Sequence, residues 1–162
     1  MPTNNKSKAN MMHRNIEDNR YLGLDGIGSI LVSGEDTNGE FCVVHCSAKK
    51  DAGPPTHIHE NEDESFYILD GEMTVFVGDK MLSAKAGDYV FLPRGISHTF
   101  KVTSNEAKFL VTAYPAGFDS FVKEICVPYK EGVKLPEFSP ELAKQFIEVS
   151  KRYGISYPDL KL

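Results

Sequence analysis

The sequence predicts an all-β domain, an antiparallel barrel or sandwich, followed by short C-terminal helices that pack on its outside. Between residues 27 and 114 the chain consists of short apolar stretches separated by glycine, asparagine, aspartate and proline. Such spacing is typical of antiparallel strands and tight turns. Helical patterns appear only in the last third of the chain, so no helix is expected inside the β domain.

The strand pattern begins with a hairpin and continues through regularly spaced turns. Asn38-Gly39 is a strong signal for the first hairpin, and Gly53-Pro54-Pro55 interrupts the pattern after it. Pro93-Arg94-Gly95 marks a later turn. The predicted strands are Gly28–Ser33, Glu40–Ala48, Ser65–Leu69, Glu72–Val77, Met81–Ala84, Tyr89–Leu92, Ser97–Thr103 and Ala107–Tyr114.

Two helices are predicted after the strands. Residues 116–126 place Phe118 and three further apolar side chains on one helical face. A second helix has Ser139 as its N-cap, Pro140 at the first helical position and Gly154 as a stop signal. We therefore expect an N-terminal arm over residues 1–20, a β-barrel domain over 21–115 and a helical extension of that domain over 116–162.

Composition limits the possible environments and partners. A chain of 162 residues with 41% hydrophobic and 25% charged residues is typical of one globular domain. The net charge of −5 and the lack of a basic cluster argue against nucleic-acid binding. No segment is apolar enough to span a membrane, and the polar start does not resemble a secretory signal. Three cysteines without CxxC spacing fit a reduced, cytoplasmic protein.

Four candidate metal donors lie close together in the sequence: His57, His59, Glu64 and His98. Two histidines at positions i and i+2 share one face of an extended strand. Glu64 follows His59 by five residues, so a continuous strand would place it on the opposite face. We therefore expect a turn or bulge at residues 61–63 that brings the Glu64 side chain to the same face as the two histidines. Glu60, Glu62 and Asp63 are expected to lie in a solvated loop. Any one of these histidines alone could be an ordinary surface residue.

The spacing around these donors resembles the two motifs of the cupin superfamily. The first motif corresponds to Gly53–Glu64 and continues to Gly71, and the second corresponds to Gly87–His98. The similarity extends over roughly residues 28 to 114, and the short intermotif spacing is similar to that of small single-domain cupins. Val102 occupies a position where the second motif often has asparagine.

The resemblance implies a double-stranded β-helix, or jelly roll, with a metal ion inside. It implies that His57, His59, Glu64 and His98 are the ligands of one divalent transition metal. Three imidazoles and a carboxylate suit Fe, Mn, Ni, Co, Cu or Zn, and the sequence does not choose among them. A degenerate pocket without metal is the alternative.

The segment that follows the barrel adds a resemblance to quercetin dioxygenase-like cupins. It implies a small aromatic or enolic substrate, dioxygen as co-substrate, and Glu64 as both ligand and general base. A non-catalytic binding module and a metal-assisted sugar isomerase or epimerase remain open. Strand parity and position suggest a mostly apolar pocket, although many of these side chains could equally be core. The candidate pocket residues are Phe66, Met73, Phe100, Val102, Tyr114 and Phe118. A homodimer is also expected, with the N-terminal strand and the C-terminal helix as contributors.

Overall fold

A computed structural model describes residues 10–23, 25–137 and 139–160. Residues 1–9 of the predicted N-terminal arm therefore lie outside the described part of the chain. The elements are β1 (Arg20–Gly23), β2 (Gly26–Val32), β3 (Cys42–Lys49), β4 (Ile58–His59), β5 (Asp63–Asp70), β6 (Glu72–Val77), β7 (Lys80–Lys85), β8 (Tyr89–Leu92), β9 (His98–Val102), β10 (Glu106–Tyr114), α1 (Phe118–Ile125), β11 (Val127–Pro128), α2 (Pro140–Arg152) and β12 (Ile155–Ser156).

The strands form two main antiparallel sheets that enclose the core. One sheet has seven strands in the order β11-β1-β2-β3-β10-β5-β8, and the other has three in the order β7-β6-β9. Chain neighbours such as β5 and β6 lie in different sheets, as in a jelly roll. The prediction of an all-β double-stranded β-helix is therefore confirmed.

Three phenylalanines fill the centre of the barrel. Phe66 and Phe109 come from the seven-stranded sheet, and Phe100 comes from the three-stranded sheet. The ring centroids are 5.2–5.7 Å apart, and the Phe66–Phe100 and Phe100–Phe109 pairs meet edge to face. Aliphatic side chains from both sheets surround them. This cluster joins the two sheets and supports the strands that carry the candidate metal donors.

Turn chemistry fixes the first hairpin as the sequence predicts. Asn38 and Gly39 both have positive φ, 54° and 84°, and the Gly39 N–H donates to the carbonyl of Gly34 at 2.7 Å. A positive φ is accessible to glycine without strain and is tolerated by asparagine. β2 and β3 then pair antiparallel, with Ile30 opposite Val44 in the core.

The two helices have the limits that their sequence signals suggest. The Ser139 hydroxyl accepts the Leu142 N–H at 3.1 Å, and Pro140 is the first residue of α2. Gly154, with φ of 69°, ends the helix turn and leads into β12. α1 packs against β1, β3 and α2. No helix in the described residues is both long and apolar enough to cross a membrane.

The structure adds β1, β11 and β12 to the predicted strands, and β4 lies where the spacing of His57 and His59 required an extended segment. β11 and β12 contain only two residues each, which is too short to show a period of two. β11 extends the large sheet by pairing with β1, and β12 pairs with β4. The C-terminal extension is thus hydrogen-bonded to the barrel, in addition to packing against it.

We predict that Phe109→Ala lowers the free energy of unfolding by about 3–5 kcal/mol, because it removes the ring that contacts both Phe66 and Phe100. Phe76→Ala is the matched control, since that ring lies on the outer side of β6 and is 36% exposed. The control should cost less than about 1 kcal/mol. Urea unfolding of both variants measures the difference, and equal losses would contradict this description of the core.

Candidate metal centre

Three short segments bring the four donors together. His57 and His98 pair through two backbone hydrogen bonds of 2.9 and 3.0 Å, which places β4 beside β9. Glu64 lies on β5, which is between β10 and the edge strand β8 in the large sheet. β4 ends at His59 and β5 begins at Asp63, so the intervening residues break the strand. Because of this break, the Glu64 side chain points to the same side as those of His57 and His59, as the sequence analysis expected.

The donor atoms of His57, His59, Glu64 and His98 all lie within 4.8 Å of one another. His59, Glu64 and His98 are buried and His57 is partly buried. The Nε2 atoms of His98 and His59 lie 3.1 and 3.6 Å from the same Glu64 oxygen, Oε2. The four side chains therefore converge on one point inside the barrel.

Each imidazole uses its other nitrogen, Nδ1, to contact an acceptor. His57 Nδ1 lies 2.9 Å from the carbonyl of Pro55, and His98 Nδ1 lies 3.1 Å from the carbonyl of Ile96. His59 Nδ1 lies 2.7 Å from a carboxylate oxygen of Glu62. Because these oxygens only accept, each Nδ1 carries a proton. The Nε2 atom of each ring is therefore left to act as a metal donor through its lone pair or, when it carries a proton, to donate a hydrogen bond.

Electrostatics keep Glu64 ionised. Burial alone favours the neutral acid, but the attraction of a charged His59 and a hydrogen bond from His98 outweigh it and lower the pKa of Glu64 to about 2. Burial and the neighbouring His98 lower the pKa of His57 to about 4. At neutral pH this pair consists of a carboxylate and a neutral imidazole, which are the forms that bind a metal ion.

The pKa of His59 shifts the other way. Burial opposes its charged form, but Glu64 and Glu62 outweigh burial and raise the pKa. A cation at this point is therefore favoured, whether it is a proton on the ring or a metal ion between the rings and Glu64. Three imidazole nitrogens and one carboxylate oxygen suit a divalent transition metal. The residues present can hold such an ion.

Glu62 contributes to the site, although the sequence analysis placed it in a solvated loop. Its side chain is buried, and its second oxygen, Oε2, lies 3.0 Å from the Cβ position that a side chain at Gly117 would occupy. Oε1 accepts from His59 Nδ1. A buried carboxylate on the far nitrogen of a metal-binding histidine fixes the tautomer and the ring orientation. The sequence analysis had placed Glu62 in solvent because its loop is polar. Glu60, in the same loop, is indeed exposed.

The predicted pocket residues have different environments. Phe66, Met73 and Val102 are fully packed core side chains, with Phe100 partly buried against them. The Phe118 ring lies 6.3 Å from the His59 ring, so this residue is at the site. Phe66, Met73, Val102 and Phe100 therefore belong to the core cluster of the barrel.

The prediction for Tyr114 is wrong. Ala113 is the residue of β10 that faces Glu64, so Tyr114 lies on the outer face of the sheet. Its side chain is 39% exposed, and its ring is 6.5 Å from that of Phe41.

Tyr157 is a neighbour of the centre that the sequence analysis did not identify. Its ring lies 6.1 Å from that of His57 and 5.3 Å from that of Phe146 on α2. β12, just before it, pairs with β4 through Ile155 opposite His59. Burial raises the pKa of Tyr157 to about 12, so the phenol stays protonated. The C-terminal extension thus packs against the segment that contains His57 and His59.

The acidic side chain of Asp25, in the turn between β1 and β2, also influences this region. Burial raises its pKa, and the Gly53 N–H partly opposes that shift. The Asp25 carboxyl in turn adds to the burial that raises the pKa of Tyr157 and of Cys46. Glu64 acts on the Cys46 thiol in the same direction. The groups around the centre, apart from the imidazoles, are therefore neutral or acidic.

This barrel and its donor set define a class of protein. Residues 44–114 match the model of the family described as Cupin domain. With the jelly roll and the two motifs, the chain therefore carries a domain of the cupin superfamily.

The chain is similar to several proteins of known name. It is 28% identical over 114 residues to quercetin 2,3-dioxygenase of Bacillus subtilis (strain 168); the match covers 70% of this chain and 34% of that protein. The chain thus matches about one third of that relative's length. A predicted oxalate decarboxylase from Thermotoga maritima has a similar structure, with a TM-score of 0.59 and 26% identity over 65% of this chain and 99% of that one. Ectoine synthase from P. lautus gives a TM-score of 0.62 at 17% identity, over 80% of this chain and 100% of that one, which shows the fold alone.

We predict that Glu62→Gln weakens metal binding by about 10–100-fold, because it removes the carboxylate that accepts from His59 Nδ1. Glu60→Gln is the matched control in the same loop and should leave the dissociation constant unchanged. Competition titration of the apo proteins against a coloured chelator measures both constants. Equal affinities in the two variants would show that Glu62 does not position His59.

We predict that Tyr157→Ala makes bound metal more accessible, because it removes the ring beside His57. An aromatic contact of this kind corresponds to a roughly two- to tenfold change in rate or equilibrium. Tyr157→Phe keeps the ring and loses only the hydroxyl contact with Ser150 at 3.3 Å, so it should behave like the wild type. The rate of metal loss to excess chelator separates the two variants, and identical rates would refute a covering role for the ring.

Proposed function

We propose that this protein is a metal-dependent dioxygenase that acts on a small aromatic or enolic, flavonol-like substrate. The observation that carries the proposal is the convergence of three imidazole Nε2 atoms and the Glu64 carboxylate on one buried point. The similarity to quercetin 2,3-dioxygenase over 70% of the chain supports this reaction class.

The bound ion would be one divalent transition metal, held by His57, His59, Glu64 and His98. Such an ion acidifies a coordinated hydroxyl and provides a site for oxygen chemistry. The protein supplies the orientation of the ligands through the Nδ1 contacts of the three histidines. The identity of the ion depends on availability as well as on these ligands.

Glu64 is the proposed base for the substrate hydroxyl. A carboxylate that also binds the metal is a weak base, so it can accept a proton only from a hydroxyl whose own pKa has been lowered. A metal-bound phenolic or enolic hydroxyl meets that condition better than an aliphatic alcohol. This requirement favours a flavonol-like substrate over a simple sugar.

The surroundings of the centre agree with an uncharged aromatic substrate. Phe118 and Tyr157 present rings near His59 and His57, and aromatic faces stack on planar ligands. The Glu64 carboxylate places a negative charge at the centre, which disfavours a phosphorylated substrate.

The test is oxygen uptake by the purified protein loaded in turn with Fe, Mn, Ni, Co, Cu or Zn. We expect consumption of dioxygen with a flavonol and at least one metal. Glu64→Gln, which keeps the shape of the side chain but removes its negative charge, should lose most of that activity, by about 100-fold or more. His98→Ala provides a control without an intact metal site.

No oxygen consumption with any metal and any enolic phenol would contradict the dioxygenase proposal. Tight flavonol binding without turnover would then favour a binding module. Conversion of an aldose to its isomer by the same metal-loaded protein would instead favour the isomerase alternative.

A further inference from the structure

The loop between β8 and β9, residues 93–97, is held by an arginine that is not itself a metal donor. The backbone N–H of Arg94 donates to Asp63 Oδ1 at 2.9 Å, and its Nε donates to the same oxygen at 3.2 Å. Its Nη2 donates to Asp63 Oδ2 at 2.9 Å and to the carbonyl oxygen of Tyr114 at 3.1 Å. We call these four hydrogen bonds the Arg94 clamp.

The clamp joins the loop to the chain beside two of the metal donors. Asp63 is the first residue of β5 and directly precedes Glu64. Tyr114, the last residue of β10, lies opposite Asp63 in the sheet. The next loop residue, Gly95, donates its N–H to the carbonyl of His59 at 2.8 Å. The loop therefore contacts the chain at His59 and at the residue before Glu64.

The same loop leads directly to a third donor. His98 is the first residue of β9, and its Nδ1 lies 3.1 Å from the carbonyl of Ile96, which belongs to the loop. Ser97 is fixed to the other sheet, because its carbonyl accepts the Gly78 N–H at 2.7 Å. A displacement of the loop would therefore be transmitted to the backbone and to the Nδ1 contact of His98.

The chemistry of arginine suits this position. Its planar guanidinium presents donors in a fixed fork that matches the two oxygens of a carboxylate. Hydrogen bonding to Asp63, with a smaller attraction from Glu62, raises the pKa of Arg94. The Arg94 side chain is 46% exposed, and exposed ion pairs add little to the stability of a fold. The place of the clamp between donor segments thus points to orientation as its main effect.

We propose that Arg94 is a positioning residue of the metal centre. The clamp fixes the start of β5, which carries Glu64, against the loop that contacts His59 and leads to His98. A metal site needs its donors held within about 0.5 Å and 10–20° of the productive geometry. This inference rests on the metal centre of the proposed function and does not depend on the substrate or on the reaction with dioxygen.

The test is titration of the full-length apoprotein with cobalt(II), followed by the visible absorption of the bound ion, which depends on its coordination geometry. Arg94→Gln removes the fork and its charge but keeps the backbone N–H. We expect it to weaken cobalt binding by about two- to tenfold and to shift the absorption bands at saturation. Lys49→Gln is the matched control, because it breaks the 3.2 Å ion pair with Glu106 at the opposite end of β10. It should leave affinity and spectrum unchanged.

Asp63→Asn is a second variant that breaks the ion pair from the other side, and it should reproduce the shift even if Arg94→Gln fails to fold. Wild-type affinity and spectrum in the folded variants would overturn the proposal, even if urea unfolding showed a loss of stability. An equal shift in Lys49→Gln would also overturn it. A wild type that binds no cobalt would refute the metal centre together with this role, whereas an unchanged Arg94→Gln spectrum refutes the role of Arg94 alone.

Discussion

A buried carboxylate beside three imidazoles is the interaction on which the rest of the structure depends. An isolated ionised carboxylate inside a barrel costs far more free energy than a folded domain of this size can supply. Glu64 is nonetheless ionised, because the Nε2 atoms of His98 and His59 lie 3.1 and 3.6 Å from its Oε2 atom. The arrangement is satisfied only when positive charge occupies the point between them. A divalent cation bound by the four side chains can supply that charge.

The barrel holds this arrangement in place through short and separate elements. Backbone pairing of His57 with His98 joins β4 to β9, and pairing of β12 with β4 attaches the C-terminal extension to the same strand. Glu62 contacts His59 and lies beside Gly117, the residue before α1. Beneath them, the phenylalanine cluster fixes the distance between the two sheets. The helices are therefore part of the support of the centre, and the chemistry of the site depends on residues far from the two motifs.

The sequence was sufficient to predict the fold class and the four converging donors. Strands and turns alternate clearly, and the HxH spacing has a defined meaning only on an extended strand. The role of Glu62 was not predictable, because a glutamate between acidic neighbours indicates solvent, and only tertiary packing buries it. Tyr157 was missed because β12 has only two residues and its partner β4 is about 100 residues away. Tyr114 was misplaced because its side chain alternates with that of Ala113.

The central claim is that His57, His59, Glu64 and His98 hold one metal ion. Elemental analysis of wild type, His57→Ala and His98→Ala, purified together and confirmed as folded by circular dichroism, tests it most directly. We expect a stoichiometric divalent transition metal in the wild type and its loss from both variants. Equal metal content in all three proteins would contradict the ligand assignment and, with it, the function proposed for this site.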